Sequence, residues 1–329
     1  MEPQHAFAPG VSREWQTARL LIQYKTDVNE QQRGSRRLET VHVLLEHGAD
    51  ITAQDFIQST PLHLASSEGR VDIMQILLEH GADVNAMARR QHTPLHRALF
   101  FQSSPSPETV RLLLGYGADV NAQDEGHSMP LHLASSNFGL PCHEVIRLLI
   151  KHGANVNARD GSYNTPLHLA YSQSPEIVRL FIEHDADVNA RDDTYSTPLH
   201  LASSLGDAEN VRILLEHGAN VNAIDGRQNT PLHLASFKGC VRTVTLLLQH
   251  GADVGAHDAG HSTPLHLVTS SRFDLNSNIN IVRLLLSYGA SVDDKDDRGQ
   301  TPFQIASSRG LPQIAELLSD HCVKEEQNV

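Results

Sequence analysis

Twenty-one histidines among 329 residues are the first feature that could carry chemistry, since imidazole serves both as a general base and as a metal ligand. Their spacing argues against both roles. Seven of them, His63, His96, His132, His168, His200, His233 and His266, each close a Pro-Leu-His string, and successive members lie 32 to 36 residues apart. A regular fold spreads such residues one layer at a time, so they cannot converge on one metal ion. They read instead as side chains that hydrogen-bond back to the preceding Thr and the nearby backbone. A second set, His47, His80, His152, His184, His217 and His250, falls in the last turn of an expected helix. There a partial positive charge complements the helix dipole.

The remaining reactive side chains give no pattern either. Cys142, Cys240 and Cys322 lack C-x-x-C spacing, so a zinc site is not expected. The acidic run Asp293, Asp294, Asp296, Asp297 resembles the start of a calcium loop, but Arg298 and Ile305 stand where oxygen ligands are needed. No His-Glu-x-x-His, Gly-x-Ser-x-Gly or Walker-type glycine loop occurs. The sequence therefore predicts no catalytic residue, no metal, no cofactor and no enzymatic activity.

Charge narrows the partner class. The formal net charge of −13 argues against a phosphate backbone as the main ligand, so no nucleic acid is expected. The local basic clusters, Arg33, Arg36, Arg37 and Arg89, Arg90, read as solvated turns. No stretch approaches the ~18 apolar residues of a membrane span, and the first thirty residues hold no signal-peptide apolar block. With scattered cysteines, odd in number, these features point to a reducing compartment: cytoplasmic, with the nucleus as the alternative. A monomer is expected.

The elements that position these residues follow from self-similarity. Thr-Pro-Leu-His starts at Thr60, Thr93, Thr165, Thr197, Thr230 and Thr263, with Met-Pro-Leu-His at Met129 and Thr-Pro-Phe-Gln at Thr301. Successive starts are 33, 36, 36, 32, 33, 33 and 38 residues apart. The second half of each unit reads like Leu77-Leu78-Glu79-His80-Gly81-Ala82-Asp83-Val84-Asn85. Within one unit, Thr60 is an N-cap and Pro61 occupies the first helical position. Gly69 ends this short helix in the left-handed conformation. A second helix carries Val71, Met74, Leu77 and Leu78 at helical spacing and stops at Gly81. Neither helix is long enough to persist alone in water, so each unit must bury its apolar face on its neighbours.

This sequence resembles the ankyrin family, whose pattern T-P-L-H-x-A followed by L-L-x-x-G-A-D-V-N is matched in most units over residues 19 to 322. The resemblance implies an all-α fold: an α-solenoid of stacked helix pairs with β-hairpin-like connecting loops. Residues 1–18 read as a tail, 19–52 as incomplete units, 53–322 as eight repeats and 323–329 as a polar tail. With helix layers about 8–10 Å apart, the units would extend on the order of 80–90 Å. Lys25 to Gly48 spans only 23 residues, which removes the Thr-Pro-Leu-His helix from that unit. In the family the Asn of the A-D-V-N stretch can be hydroxylated. The matching positions are Asn85, Asn121, Asn157, Asn189 and Asn222, against the structural reading that this Asn bonds the turn backbone.

Length variation locates the expected binding edge. From each helix-ending Gly (or Asp185) to the next start is always 12 residues, so the hairpins never change length. All variation falls between the two helices: Ser103–Pro107, Asn137–Pro141 and the polar stretch Arg272 to Asn280, which reads as a loop. A constant frame with variable side chains is what recognition requires. The tip residues two before each start are Gln58, Gln91, His127, Tyr163, Tyr195, Gln228, His261 and Gly299. Many ankyrin sequences carry Gly there. Phe56, His127, Tyr163, Tyr195, Arg227, Gln228 and His261 are therefore expected to contact a partner. The competing reading is that the rings pack on the adjacent hairpin. The expected function is a scaffold that holds a partner protein or peptide on a concave face of hairpins and first helices. The alternative is a substrate-recruiting adaptor of a modifying complex such as a ubiquitin ligase, although residues 1–18 and 323–329 are too short for a docking domain.

Overall fold

The computed structural model describes residues 30–100, 106–136, 143–170, 174–271 and 274–326, with side chains described between 38 and 321. The chain divides into two compact units, Met1–Gly161 and Ser162–Val329. Among the described residues every regular element is helical.

The first unit contains α1 (Glu30–Glu46), α2 (Pro61–Ser67), α3 (Val71–Glu79), α4 (Pro94–Phe100), α5 (Pro107–Gly115), α6 (Pro130–Ser136) and α7 (His143–Lys151). Here α2, α4 and α6 pack side by side as one layer, and α1, α3, α5 and α7 form the second layer against them. The second unit repeats the plan. It contains α8 (Pro166–Leu169), α9 (Pro175–Glu183), α10 (Pro198–Leu205), α11 (Ala208–Glu216), α12 (Pro231–Lys238), α13 (Val241–Gln249), α14 (Pro264–Ser270), α15 (Leu275–Ser287), α16 (Pro302–Ser308) and α17 (Pro312–Glu326). First helices α10, α12, α14 and α16 stack in sequence, as do second helices α9, α11, α13, α15 and α17.

The apolar pattern explains the layering. Leu62, Ala65, Leu95, Ala98, Leu131 and Ala134 of the first helices are 1% exposed or less, as are Ile73, Met74, Val110, Leu113, Ile146 and Leu149 of the second. The small Ala65, Ala98 and Ala134 let neighbouring helices approach, and each fully buried Leu or Ile contributes about 2–3 kcal/mol of burial. Second helices end in a left-handed residue closed by two reverse bonds. At α3, Gly81 has φ +86°, its amide donates to the Leu78 carbonyl, and the Ala82 amide donates to Leu77 at 3.0 Å. Asp185 keeps the same bonds at φ 62° without being glycine.

Two loop readings are corrected. Arg33, Arg36 and Arg37 stand in α1, not in a turn. Of the expected polar loop Arg272 to Asn280, the part from Leu275 is helical and lengthens α15 by a turn. The cause is local: the Asp274 carboxylate accepts from the Ser277 amide at 2.8 Å, and Asn278 and Ile281 face inward. Residues 323–326 of the expected C-terminal tail at 323–329 continue α17. Lys25, the tail at 1–18, residues 327–329 and the insertion residues 103–105 and 137–141 lie outside the described residues.

Candidate functional site

The Pro-Leu-His histidines fasten each repeat to the next. At Thr60 the backbone amide and the hydroxyl both donate to His63 Nδ1, at 3.2 and 2.8 Å. The imidazole thus does the work of the Glu or Gln in a capping box. The reverse contact, from the third helical amide to the Thr hydroxyl, is longer, 3.5 Å at Thr93. With Nδ1 accepting, Nε2 carries the proton and donates to the His92 carbonyl of the following hairpin at 2.9 Å. The same outward bond runs from His96 to Ser128, His200 to Asn229, His233 to Ser262 and His266 to Gln300. Burial pushes the His63 imidazole down to about 4, and lowers His96, His200, His233 and His266, against the raising effect of the bond each donates. The sequence reading found the bond to Thr and missed the bond to the next repeat. The second-helix histidines donate as well: Nδ1 of His80, His217 and His250 reaches the carbonyl four residues earlier at 2.8 Å. Each adds a second donor to a carbonyl that already accepts the histidine's own backbone amide.

The asparagines correct the expectation that they bond their own turn. Asn85 Nδ2 donates to the Gly117 carbonyl and its Oδ1 accepts from the Asp119 amide, at 3.1 and 2.7 Å. Asn121 bridges in the same way to Gly153 and Asn155, Asn189 to Gly218 and Asn220, and Asn222 to Gly251 and Asp253. Each side chain spans to the next repeat because that repeat's helix end presents one free carbonyl and one free amide. Asn157 also has partners.

The hairpins present the candidate face. In the hairpin of Asp225, the Asp225 amide donates to the Asn229 carbonyl and the Gln228 amide donates back to Asp225, both at 3.0 Å. The Asp225 carboxylate accepts from the Arg227 and Asn229 amides at 2.8 Å. Asp55, Asp124, Asp192, Asp258 and Asp296 close equivalent turns. This geometry forces the residue before the last into the left-handed region. Gln58, Gln91, His127, Tyr163, Tyr195, Gln228 and His261 all have φ between 54° and 63°. Glycine is the residue this conformation favours, and only Gly299 supplies it. The Arg89–Arg90 pair belongs to the exception: Ala88 replaces the turn Asp, and both Arg90 and Gln91 are left-handed.

Successive tips are joined by one backbone bond each, too few to make a strand among the described residues. Arg89 donates to the Ile57 carbonyl and Gly161 to Gly126 in the first unit, at 3.0 and 2.7 Å. In the second, Asp193 donates to Ser162, Gly226 to Thr194 and Ala259 to Arg227, at 2.8 to 2.9 Å.

All seven proposed contact residues are exposed, with Phe56 at 76%, Tyr163 at 55% and Tyr195 at 57%. Tyr195 keeps a packed side too: a Cβ added at Gly226 would lie 3.7 Å from its ring. The single backbone bonds place Phe56 in the first unit and the two tyrosines on neighbouring tips of the second.

Sequence reasoning passed over other members of this face. Met87 and Ile224, one before the turn position, are 61% and 46% exposed, and Phe100, Leu205 and Phe237 emerge from the ends of α4, α10 and α12. The signal was present, since Phe100 and Phe237 replace a Ser of the Leu-Ala-Ser-Ser run. Arg97 likewise replaces the Leu that follows each Pro-Leu-His, and its guanidinium reaches the Ser59 hydroxyl at 2.9 Å. No helix among the described residues is long and apolar enough to cross a membrane.

A family model described as Ankyrin repeats (3 copies) matches residues 31–124, 103–192, 191–258 and 255–328. A search of curated proteins found no match.

Proposed function

The chain belongs to the ankyrin-repeat family, and from that premise we propose that it is a non-catalytic scaffold binding a partner protein or peptide on its hairpin tips and first helices. One observation carries this reading. Large side chains occupy left-handed tips that glycine would fill at lower cost. A non-glycine residue there costs on the order of 1–2 kcal/mol, and such strain persists where the side chain is needed. The occupants differ from tip to tip (Gln, His, Tyr) while the turn itself is constant, which suits recognition better than stacking. Tyr163 and Tyr195 are the proposed anchors, since an exposed Tyr gives a large contact area at small entropic cost. His127, Arg227, Gln228 and His261 flank them in sequence along the tips, with Phe56 on the first described hairpin.

Hydroxylation at Asn85, Asn121, Asn157, Asn189 or Asn222 is a lesser part of this proposal, because an enzyme must first release the side chain from its inter-repeat bonds. The cellular compartment of the proposal is the cytoplasm or nucleus. The test is affinity capture followed by mass spectrometry, native chain against a Tyr163→Ala/Tyr195→Ala variant that still unfolds cooperatively. Selective loss of a partner supports the reading, and retention of every partner refutes it.

A further inference from the structure

We propose that the groove between α15 and α17 binds an extended segment of a partner protein that carries one acidic and one basic side chain. The two walls of the groove are helical stripes: Asn276, Ile279, Asn280 and Arg283 on α15, and Gln313, Glu316, Leu317 and Asp320 on α17. The extra first turn of α15 supplies Asn276. The groove encloses about 670 Å³, within the span of about 300–1,000 Å³ usual for ligand sites.

The repeat explains why the charges on these walls are left open. Arg111, Arg179 and Arg283 hold the same place in their second helices, each directly after a Val. Arg111 reaches Glu144 on the next second helix at 2.7 Å, and Arg179 reaches Glu209 at 3.7 Å. Each glutamate stands three residues before that helix's own arginine, Arg147 or Arg212. In α17 the corresponding residue is Gln313, and Glu316 stands in the arginine's place. Arg283 therefore has no carboxylate at the position that serves Arg111 and Arg179. Among the described residues, Arg283, Glu316 and Asp320 form no ion pair, and the Asn276, Asn280 and Gln313 side chains form no hydrogen bond.

The chemistry of the walls names the occupant. A guanidinium receives a carboxylate through paired N–H donors, which assigns the acidic side chain to Arg283. Glu316 and Asp320 lie one helical turn apart on α17 and offer two carboxylates to a single ammonium or guanidinium. The three carboxamides each present donors and an acceptor, which matches the main-chain N–H and C=O groups of an extended chain. A helical segment would already have used those groups. Ile279 and Leu317, both half-buried, give each wall an apolar surface for one side chain of the partner. The charged groups are exposed, so the interaction weakens as salt is added.

The groove shares no residue with the hairpin-tip face, so its test stands apart from that reading. The probes are fluorescein-labelled pentapeptides, Gly-Glu-Leu-Lys-Gly and its charge-swapped form Gly-Lys-Leu-Glu-Gly, with Gly-Gln-Leu-Gln-Gly as the neutral control. The full chain is titrated into each and fluorescence anisotropy is followed. The expected result is saturable binding of at least one charged peptide, with the neutral peptide at least about tenfold weaker. Arg283→Glu and Glu316→Lys/Asp320→Lys should each weaken that binding by at least about tenfold while the thermal unfolding transition stays cooperative. Absence of saturation by both charged peptides, equal binding of the neutral peptide, or affinity unchanged in both variants overturns the site.

Discussion

His63 Nε2 donates to the carbonyl of His92 at 2.9 Å, so one repeat's capping side chain is bonded to the backbone of the next. Nε2 can donate that bond in either protonation state, but Nδ1 accepts from Thr60 only when the imidazole is neutral. Acid therefore acts on the cap within each repeat and on the burial of its ring.

The pH dependence follows with a definite sign. Burial holds the folded imidazoles below the unfolded value of about 6.5, and His63 at about 4. Between those values the unfolded chain binds more protons. Stability is fully present above the unfolded value and is lost as pH falls through this window, by up to about 1.4 kcal/mol per pH unit for each such histidine. Urea unfolding at neutral pH and at mildly acidic pH checks this. The His233→Gln variant should lose less between the two conditions, since Gln304 makes the same bond to Thr301 without titrating. Equal losses would contradict the assignment.

The asparagine bridges predict a loss and a gain. Asn222→Ala removes two inter-repeat bonds and should cost about 1–2 kcal/mol. Gly255 occupies the corresponding position one repeat later, has ordinary backbone angles, and would carry a Cβ at normal contact distance from Asp253. Gly255→Asn should therefore stabilise, by about 0.5–1.5 kcal/mol in equilibrium unfolding. If the substitution is neutral, the bridge adds nothing beyond what water supplies.

Tip packing makes a steric prediction. A Cβ at Gly161 would stand 2.9 Å from the Gly126 carbonyl oxygen, and one at Gly226 would stand 3.0 Å from that of Thr194. Both neighbours are backbone and cannot rotate aside. Gly161→Ala and Gly226→Ala should each cost on the order of 1 kcal/mol and speed amide exchange at the adjoining tip. Unchanged exchange would mean that the tips are not in mutual contact in solution.

Strain at the tips separates stability from recognition. Tyr163→Gly and Tyr195→Gly each relieve a left-handed side chain, and each should leave stability unchanged or raise it by up to about 1 kcal/mol. Tyr195 gains less, because its ring also lies against Gly226. A marked destabilisation of both by glycine would show that the rings serve the stack.

Much of this was legible from the repeat. Thr-Pro at a helix start, Gly81 at a helix end and the invariant 12-residue connection correctly specified helix pairs. What stayed hidden is what depends on the neighbouring copy. Asn222 and His233 bond across to the next repeat, and a pattern read within one unit reports only local partners. The insertion before α15 was misjudged because its Asn and Ser residues suggest a loop, while the Asp274 cap and inward-facing Ile281 decide for helix. At the candidate face, the missing glycines were visible, but Phe100 and Phe237 stood out only once their exposure on the first helices was known.

The central claim is that Tyr163 and Tyr195 anchor a partner. Its most direct measurement is the affinity of a captured partner for the native chain and for Tyr163→Ala/Tyr195→Ala, by calorimetry on purified proteins. The account predicts a loss of at least about 2 kcal/mol, some thirtyfold in Kd, with cooperative unfolding retained. An affinity unchanged by the double substitution would contradict it and move the binding surface away from the hairpin tips.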